Sequence, residues 1–404
     1  MKIKSLLIYG ILFFTALTNA QQKAESFPSQ KSVTALMDAT MKNSDLPAVV
    51  AVAVNRKNQE IVYSHGNAVW TQSTKVTDQN IFRVLSMTKL VTSIAAMQLV
   101  EKGLIGLDDS LTLILPEMAK IPILSEGKLR AAKKPITLRN LLTHTSGFGY
   151  NVTDKELAVF DTIGLGYKDR PRRFESGTDF LYGTSTYWTG KVVEKVSGMN
   201  LETYFRKNIT GPLDMERSWF NVPDSLKQYI VSWGTRGIDG QQPITELPGR
   251  IPVKDVTDFR GDAGLFSSPH DFSILMKCLL NYGTLNGIQI LKKETVIEMS
   301  KSQLGPITMK NAGTYFDPAV CCDFRGLNYP DSNFGLAWMI DTKDSPNGPK
   351  AGTVSWGGAL NTIFYIDFKS GIAASIYTQY LPYLDPQTTN LFTKFSRIIY
   401  KVDR

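Results

Sequence analysis

The sequence predicts an α+β fold in which an antiparallel sheet, built from both chain ends and flanked by helices, encloses an inserted, mostly helical subdomain. Two apolar runs near the beginning, 47–54 and 59–64, are joined by a polar turn and are typical of a strand hairpin. Further strand-like runs lie between 353 and 379, close to the other end. The stretch from about 116 to 259 mixes short helical patterns with Gly- and Pro-rich loops. The sheet must therefore combine distant parts of the chain.

The positions of the individual elements follow from apolar spacing and turn residues. Apolar positions after Ser86 repeat with the 3.6-residue period of a helix, which ends at Gly103. Lys369-Ser370-Gly371 marks a tight turn between the last two strands. The same reasoning predicts helices over 138–142, 187–196, about 269–281, about 292–301 and about 386–401, and strands over 353–356, 362–367 and 372–378.

The chain has 404 residues, of which 43% are hydrophobic and 20% are charged, so it can bury a large core. After a separate leader, we expect a single domain over 21–404. Its sheet subdomain covers about 30–115 and 260–404, and its helical or irregular subdomain covers about 116–259.

The first twenty residues have the pattern of a secretory signal peptide. Lys2 and Lys4 precede an apolar stretch over 6–17, and Thr18-Asn19-Ala20 forms a small-residue cleavage site. The alternative is a membrane anchor, for which about a dozen apolar residues are short. We therefore expect cleavage after Ala20, a periplasmic or secreted protein, and no stable membrane span after removal of the signal.

The net charge of +8 comes from scattered basic residues. The two local runs, 128–134 and 168–173, interrupt regular patterning and are interpreted as solvated loops. Neither run is combined with stacking aromatics on a recognisable module, so a nucleic-acid partner is not expected.

The three cysteines are too few for a disulfide framework. Cys278 lies in an apolar run and is predicted to be a buried thiol. The adjacent Cys321 and Cys322 are either free thiols or a strained vicinal disulfide. No cysteine–histidine spacing or H-E-x-x-H pattern indicates a metal, and no cofactor is expected.

The most informative motif is Ser86-Met87-Thr88-Lys89, which opens the apolar helix. A serine and a lysine three residues apart lie on one helix face, so hydroxyl and amine can meet. Burial there favours the neutral amine that accepts a proton from serine. Helix-start amides can stabilise a developing oxyanion. Ser125-Glu126-Gly127-Lys128 has the same spacing but no apolar helix after it, and is expected to be a coincidence in a loop.

The segment around Ser86, with Phe82-Arg83-Val84-Leu85 before it and residues 104–109 after it, resembles the nucleophile helix of the serine β-lactamase and penicillin-binding protein superfamily. It is most similar to the class C branch and its carboxylesterase-type members. The similarity covers about residues 30–400, so a β-lactamase/transpeptidase-like fold is implied. Further motifs follow in the family's order: 136–147, Ser176-Gly177-Thr178, Tyr182-Gly183-Thr184, 264–268, 333–336 and Trp356-Gly357-Gly358.

The resemblance implies a role for each matched residue. Ser86 is the acylated nucleophile, Lys89 its hydrogen-bonded base partner, and Tyr182 the phenol that carries a proton to the leaving group. The implied oxyanion hole and substrate-binding residues are the amides of Ser86 and Ala359 and the residues Trp356, Gly357, Gly358 and Thr184.

Two departures from the family's motifs favour an ester as the small-molecule substrate. Thr184 stands where the family has an asparagine that holds an amide substrate. Trp356 stands where the family has a lysine that pairs with the carboxylate of a β-lactam or peptide, and it offers a flat apolar wall instead. Ester hydrolysis through an acyl-enzyme on Ser86 is therefore predicted. A β-lactamase or D-alanyl-D-alanine peptidase, an acyltransferase and a non-catalytic binding domain stay open as alternatives.

Some nearby residues are given structural roles. His144 competes as a general base, but G-x-S-x-G is absent and the loop containing His144 serves as support in the family. Asp108-Asp109 is expected to cap the next segment rather than to act as a carboxylate pair. The aromatic residues near the motifs, interpreted as either pocket wall or core, are Phe148, Tyr150, Trp188, Trp356 and Tyr380.

Overall fold

The computed structural model describes residues 26–152, 154–160, 170–237, 242–309, 320 and 332–402. The predicted signal peptide, Cys321 and Cys322 lie outside these residues. Within them, no helix combines the length and hydropathy needed to cross a bilayer.

The described residues form both helices and strands, several of which are only two to five residues long. The helices are α1 (Gln30–Met41), α2 (Thr88–Glu101), α3 (Pro116–Ala119), α4 (Leu138–Leu142), α5 (Lys155–Phe160), α6 (Ser185–Ser197), α7 (Leu201–Phe205), α8 (Pro269–Leu280), α9 (Lys293–Met299) and α10 (Pro386–Ile399). The strands are β1 (Ala48–Asn55), β2 (Glu60–Gly66), β3 (Phe82–Arg83), β4 (Ile123–Ser125), β5 (Lys128–Arg130), β6 (Gly234–Thr235), β7 (Thr245–Glu246), β8 (Phe266–Ser267), β9 (Thr284–Leu285), β10 (Ile288–Gln289), β11 (Ser332–Phe334), β12 (Met339–Asp341), β13 (Val354–Gly358), β14 (Thr362–Asp367), β15 (Ile372–Tyr377) and β16 (Tyr380–Leu381).

The central sheet has seven described strands in the order β11-β12-β13-β14-β15-β1-β2. Each neighbouring pair is antiparallel. Val52 in β1 faces Ser375 in β15 on one side and Val62 in β2 on the other. The two chain ends therefore meet at the β1–β15 pair, and the predicted α+β fold with a sheet drawn from both ends is confirmed.

Both faces of the sheet are covered by helices, which explains why β1 is apolar at nearly every position. All eight residues of β1 are buried. Because side chains alternate along a strand, Val50 and Val52 join one core while Val49 and Ala51 join another. The first core contains α2 and α8, and the second contains α1 and α10.

The helix predicted from Ser86 begins slightly later than the apolar period indicates. A 3₁₀ turn, Leu85–Met87, precedes α2. Residues 88–99 of α2 are all buried, because the helix is enclosed on every side. Here α2 packs against α6 from the middle of the chain. The predicted subdomain boundaries near 115 and 260 stay a prediction.

Some features were absent from the sequence interpretation or differ from it. Helix α1 was not predicted, although the Ser29 side chain caps it and apolar residues recur at intervals of four. The basic run 168–173 was interpreted as a solvated loop, which is wrong for Arg172. That side chain is 1% exposed, donates to Ser176 Oγ at 3.1 Å and lies over the Phe148 ring. Cys278 is a buried thiol as predicted, and burial raises its pKa to about 12.

Candidate active site

Ser86 lies at the junction of a short strand and the central helix. Strand β3 pairs with β8, and the Val84 amide donates to the Leu265 carbonyl at 3.2 Å. Leu85 has a φ of +41°, a left-handed conformation that a residue with a side chain rarely adopts. This bend places Ser86 in the 3₁₀ turn that leads into α2.

Lys89 lies in the first turn of α2 and is 2% exposed. Its Nζ donates to Ser86 Oγ at 3.1 Å, to Tyr150 Oη at 3.0 Å and to the Asp262 carbonyl oxygen at 2.8 Å. These three contacts fix the position of the amine; in its neutral form two of them are donated and the nitrogen lone pair is left to accept the proton of Ser86.

Tyr182 approaches the same hydroxyl from a loop before α6. Its Oη donates to Ser86 Oγ at 2.8 Å. The ring packs against Trp356 at 4.9 Å and His144 at 4.8 Å between centroids. Ser86 Oγ thus lies within hydrogen-bonding distance of an amine and a phenol at once.

A second phenol, Tyr150, belongs to this cluster. Tyr150 Oη donates to Asp262 Oδ2 at 2.7 Å while it accepts from Lys89 Nζ. Arg260 Nη2 lies 3.1 Å from the same carboxylate oxygen. Tyr150 was predicted only as a wall or core residue, and Asp262 was not predicted to belong to the site. The available signal was an acidic residue two positions before the 264–268 motif.

Asp262 is fully buried and ionised. Burial raises the pKa of its carboxyl group, but the charges of Lys89 and Arg260 and the hydrogen bonds from Arg260 and Tyr150 outweigh burial and lower it below the usual value. The cluster therefore contains a permanent negative charge close to Lys89.

A glycine contact brings the two tyrosines together. A Cβ on Gly183 would lie 2.4 Å from Gly149 Cα and 2.4 Å from the Phe148 carbonyl oxygen. Because no side chain fits there, Gly183 allows the loop of Tyr182 to lie directly on the loop of Tyr150. The two phenol rings are 5.5 Å apart between centroids.

Two glycines in β13 allow this strand to lie beside the turn that contains Ser86. A Cβ on Gly358 would come within 2.2 Å of the Val84 carbonyl oxygen, and one on Gly357 within 2.3 Å of Tyr383 Oη. Glycine therefore allows the end of β13 to contact the backbone just before Ser86. Ala359 follows directly, so its predicted place in an oxyanion hole with the Ser86 amide agrees with the chain path and stays a prediction.

Trp356 forms part of the cluster's wall. It is 8% exposed, and its ring also contacts Phe334 at 5.4 Å between centroids. Its Nε1 has no hydrogen-bond partner among the described residues. Thr184 is 2% exposed at the residue before α6, and its predicted substrate contact stays a prediction.

His144 is buried against Tyr182, and its Nδ1 accepts from the Gly183 amide at 3.4 Å. Burial and the charge of Lys89 hold its pKa well below the usual value, so the ring is neutral. This arrangement agrees with a supporting role. Asp108 pairs with Arg139 at 2.7 Å, and Asp109 Oδ2 accepts from the Gly106 amide at 2.7 Å, so Asp109 contacts the turn before it rather than the segment after it that it was predicted to cap.

Among the described residues, one group of carboxylates and histidine lies close enough to share a metal ion: Glu60, Asp78 and His270. Lys277 already pairs with Glu60 at 2.6 Å, and His270 with Asp78 at 3.6 Å. Lys277 therefore already balances the charge of Glu60, and the hydrogen bond to Asp78 raises the pKa of His270, which favours the protonated form beside that carboxylate.

The antiparallel sheet with flanking helices, and a serine contacted by a lysine one helical turn later and by a tyrosine, define the class as the serine β-lactamase and penicillin-binding protein superfamily. The family model described as Beta-lactamase matches residues 33–393. The chain belongs to the β-lactamase family.

Known relatives in this family carry out acyl chemistry. The chain is 30% identical over 348 residues to monacolin J acid methylbutanoyltransferase from Aspergillus terreus, covering 79% of this chain and 81% of the relative. It is 30% identical over 316 residues to lovastatin esterase from Penicillium rubens, covering 72% and 78%.

Solved structures show the same fold. Simvastatin synthase from Aspergillus terreus superposes with a TM-score of 0.81 at 24% identity, covering 93% of this chain and 99% of that chain. EstCE1, described as a hydrolase with promiscuous acyltransferase activity, gives a TM-score of 0.74 at 18% identity, covering 92% and 98%.

Proposed function

We propose that this protein is a serine hydrolase that cleaves carboxylic esters through an acyl-enzyme on Ser86. The observation that carries the proposal is the pair of contacts to Ser86 Oγ, from Lys89 Nζ at 3.1 Å and from Tyr182 Oη at 2.8 Å. A hydroxyl held between an amine and a phenol can lose its proton without histidine.

The reaction proceeds in two halves. Ser86 Oγ attacks the ester carbonyl carbon, its proton passes to the Lys89–Tyr182 pair, in which the neutral amine of Lys89 is the acceptor, and the carbonyl oxygen becomes an oxyanion facing the amides of Ser86 and Ala359. The C–O bond to the alcohol then breaks, and Tyr182 returns the proton to the leaving oxygen. Water attacks the acyl-enzyme by the same route and releases the carboxylic acid and free Ser86.

An ester is favoured over a β-lactam by the wall of the site. Trp356 presents a ring packed on Tyr182 where the family's lysine pairs with a substrate carboxylate. An apolar ring supplies no charge for that carboxylate and instead contacts an acyl chain or an alcohol.

Acyl transfer is the second candidate, and the named relatives favour it. One is called a methylbutanoyltransferase and another an esterase, at the same 30% identity. Both activities share the acyl-enzyme and differ in whether water or an alcohol attacks it. A single site of this kind supports both outcomes, with the acceptor deciding between them.

A panel of p-nitrophenyl esters of graded acyl length, run beside nitrocefin on one purified sample, tests the proposal. We expect ester turnover to exceed nitrocefin turnover, and an added alcohol to yield a new ester if transfer occurs. A fluorophosphonate probe should label Ser86, as read by mass spectrometry of the peptide. Nitrocefin turnover equal to ester turnover would favour a β-lactamase. Absence of both turnover and labelling would favour a non-catalytic binding domain.

Export is part of the proposal and rests on the charge and apolar pattern of residues 1–20. Expression of the full-length chain in a bacterial host should yield an extracytoplasmic protein. Its amino-terminal sequence should begin at Gln21. A protein that stays in the cytoplasm with Met1 intact would contradict cleavage after Ala20.

A further inference from the structure

We propose that Asp262 is a positioning residue whose buried carboxylate sets the pH range over which Lys89, with Tyr150 beside it, can accept the proton of Ser86. The inference rests on the proposed ester hydrolysis and names a regulating group within that same site. Asp262 acts on Ser86 through its neighbours Lys89 and Tyr150.

Asp262 contacts Lys89 by two routes. Its carbonyl oxygen accepts directly from Lys89 Nζ at 2.8 Å. Its carboxylate accepts from Tyr150 Oη at 2.7 Å, and Tyr150 Oη in turn accepts from Lys89 Nζ at 3.0 Å. One residue therefore fixes the position of the amine and orients the hydroxyl of the phenol beside it.

The turn that carries Asp262 is wedged between α2 and α6. Thr92 Oγ1 in α2 donates to the Gly261 carbonyl oxygen at 2.7 Å. A Cβ on Gly261 would lie 3.0 Å from Thr92 Cγ2 and 3.1 Å from the Thr186 carbonyl oxygen, so the backbone fits closely against both helices. The Gly264 amide closes the turn onto the Arg260 carbonyl oxygen at 2.8 Å. Asp262 is consequently a rigid support for the amine.

The charges around Lys89 come from different segments. The phenols of Tyr150 and Tyr182 approach from two loops, and a neutral His144 lies behind Tyr182. The turn supplies the negative charge of Asp262 and the positive charge of Arg260, whose side chain is 45% exposed. Interaction between the Lys89 ammonium and the Asp262 carboxylate is favourable in this water-excluded site. The positive charge of Arg260 weakens this interaction, because it attracts the same carboxylate from the exposed side.

Two substitutions should therefore move the pH profile in opposite directions. Asp262→Asn keeps an oxygen that can accept from Tyr150 and removes the negative charge. The protonated amine of Lys89 is therefore less favoured in this variant. We expect the acidic limb of kcat/KM for p-nitrophenyl acetate to move to lower pH by about one unit or more. Arg260→Gln leaves Asp262 to interact with Lys89 alone, and its acidic limb should move to higher pH.

Asp258→Asn is the matched control. Asp258 lies in the segment just before the turn, is 53% exposed and pairs with Lys191 at 2.8 Å. Its removal is expected to leave the acidic limb where it is in the wild type. A loss of activity in Asp262→Asn that is even at every pH, with an unmoved limb, shows a merely structural role and overturns the proposal.

If Asp262→Asn fails to fold, the exposed Arg260 decides the question, and an unmoved limb in Arg260→Gln overturns the proposal. The pH dependence of fluorophosphonate labelling at Ser86 provides a second readout in each variant. A wild type that neither turns over esters nor labels refutes the proposed function. If the wild type hydrolyses esters with a measurable acidic limb, and that limb is unmoved in both variants, this inference alone is refuted.

Discussion

Ser86→Ala is expected to lower kcat/KM for p-nitrophenyl acetate by at least about 10⁴-fold and to abolish labelling by a fluorophosphonate. The substitution removes the oxygen that both Lys89 Nζ and Tyr182 Oη contact. The local backbone should stay intact, because the turn around Ser86 is closed by the Met87 amide on the Val84 carbonyl oxygen at 3.0 Å and does not need the hydroxyl. Circular dichroism and the thermal midpoint should match the wild type.

The chain supplies its own control for this experiment. Ser125 begins the second S-x-x-K copy, which the structure places at the exposed tip of the β4–β5 hairpin, with Glu126 and Gly127 at positive φ in the turn. Ser125→Ala should turn over esters at the wild-type rate. Full turnover in Ser86→Ala, or an equal loss in Ser125→Ala, would remove Ser86 from the reaction.

The contact between Ser86 and Lys89 could be expected from sequence because it is local. Lys89 lies three positions after Ser86, and helical geometry alone brings their side chains to one face. The central strands could also be predicted from the sequence. Apolar runs such as 47–54 have a length and composition that indicate strands buried on both faces, and β1 shows that burial.

The contact between Tyr150 and Asp262 could not be predicted from the sequence in this way. It joins residues 112 positions apart, from a loop and a turn that have no periodicity. Gly183 lets the loop of Tyr182 lie on the loop of Tyr150, and Gly261 lets the turn of Asp262 lie against α2 and α6, and both contacts are a property of tertiary packing. Arg172 shows the same limit, since its basic run predicts solvent exposure while its partners, Ser176 and the Phe148 ring, are set by the fold.

Tyr182→Phe is expected to lower kcat by about 10² to 10⁴-fold with a smaller change in KM. It removes Oη, which lies 2.8 Å from Ser86 Oγ, and keeps the ring that packs on Trp356 and His144. The leaving group provides the sharper measurement. A p-nitrophenolate departs without a proton, whereas an alkoxide needs one. The loss should therefore be several-fold larger for ethyl butyrate than for p-nitrophenyl butyrate.

Tyr204→Phe is the matched control, because Tyr204 is 1% exposed and its Oη has no hydrogen-bond partner among the described residues. Removal of that hydroxyl should leave kcat unchanged for both esters and the thermal midpoint equal or higher. Equal losses on the two esters in Tyr182→Phe would assign Tyr182 to activation of Ser86 rather than to protonation of the alcohol. Unchanged rates on both would exclude the phenol from proton transfer and leave Lys89, with Tyr150 and Asp262 behind it, as the group that accepts the serine proton.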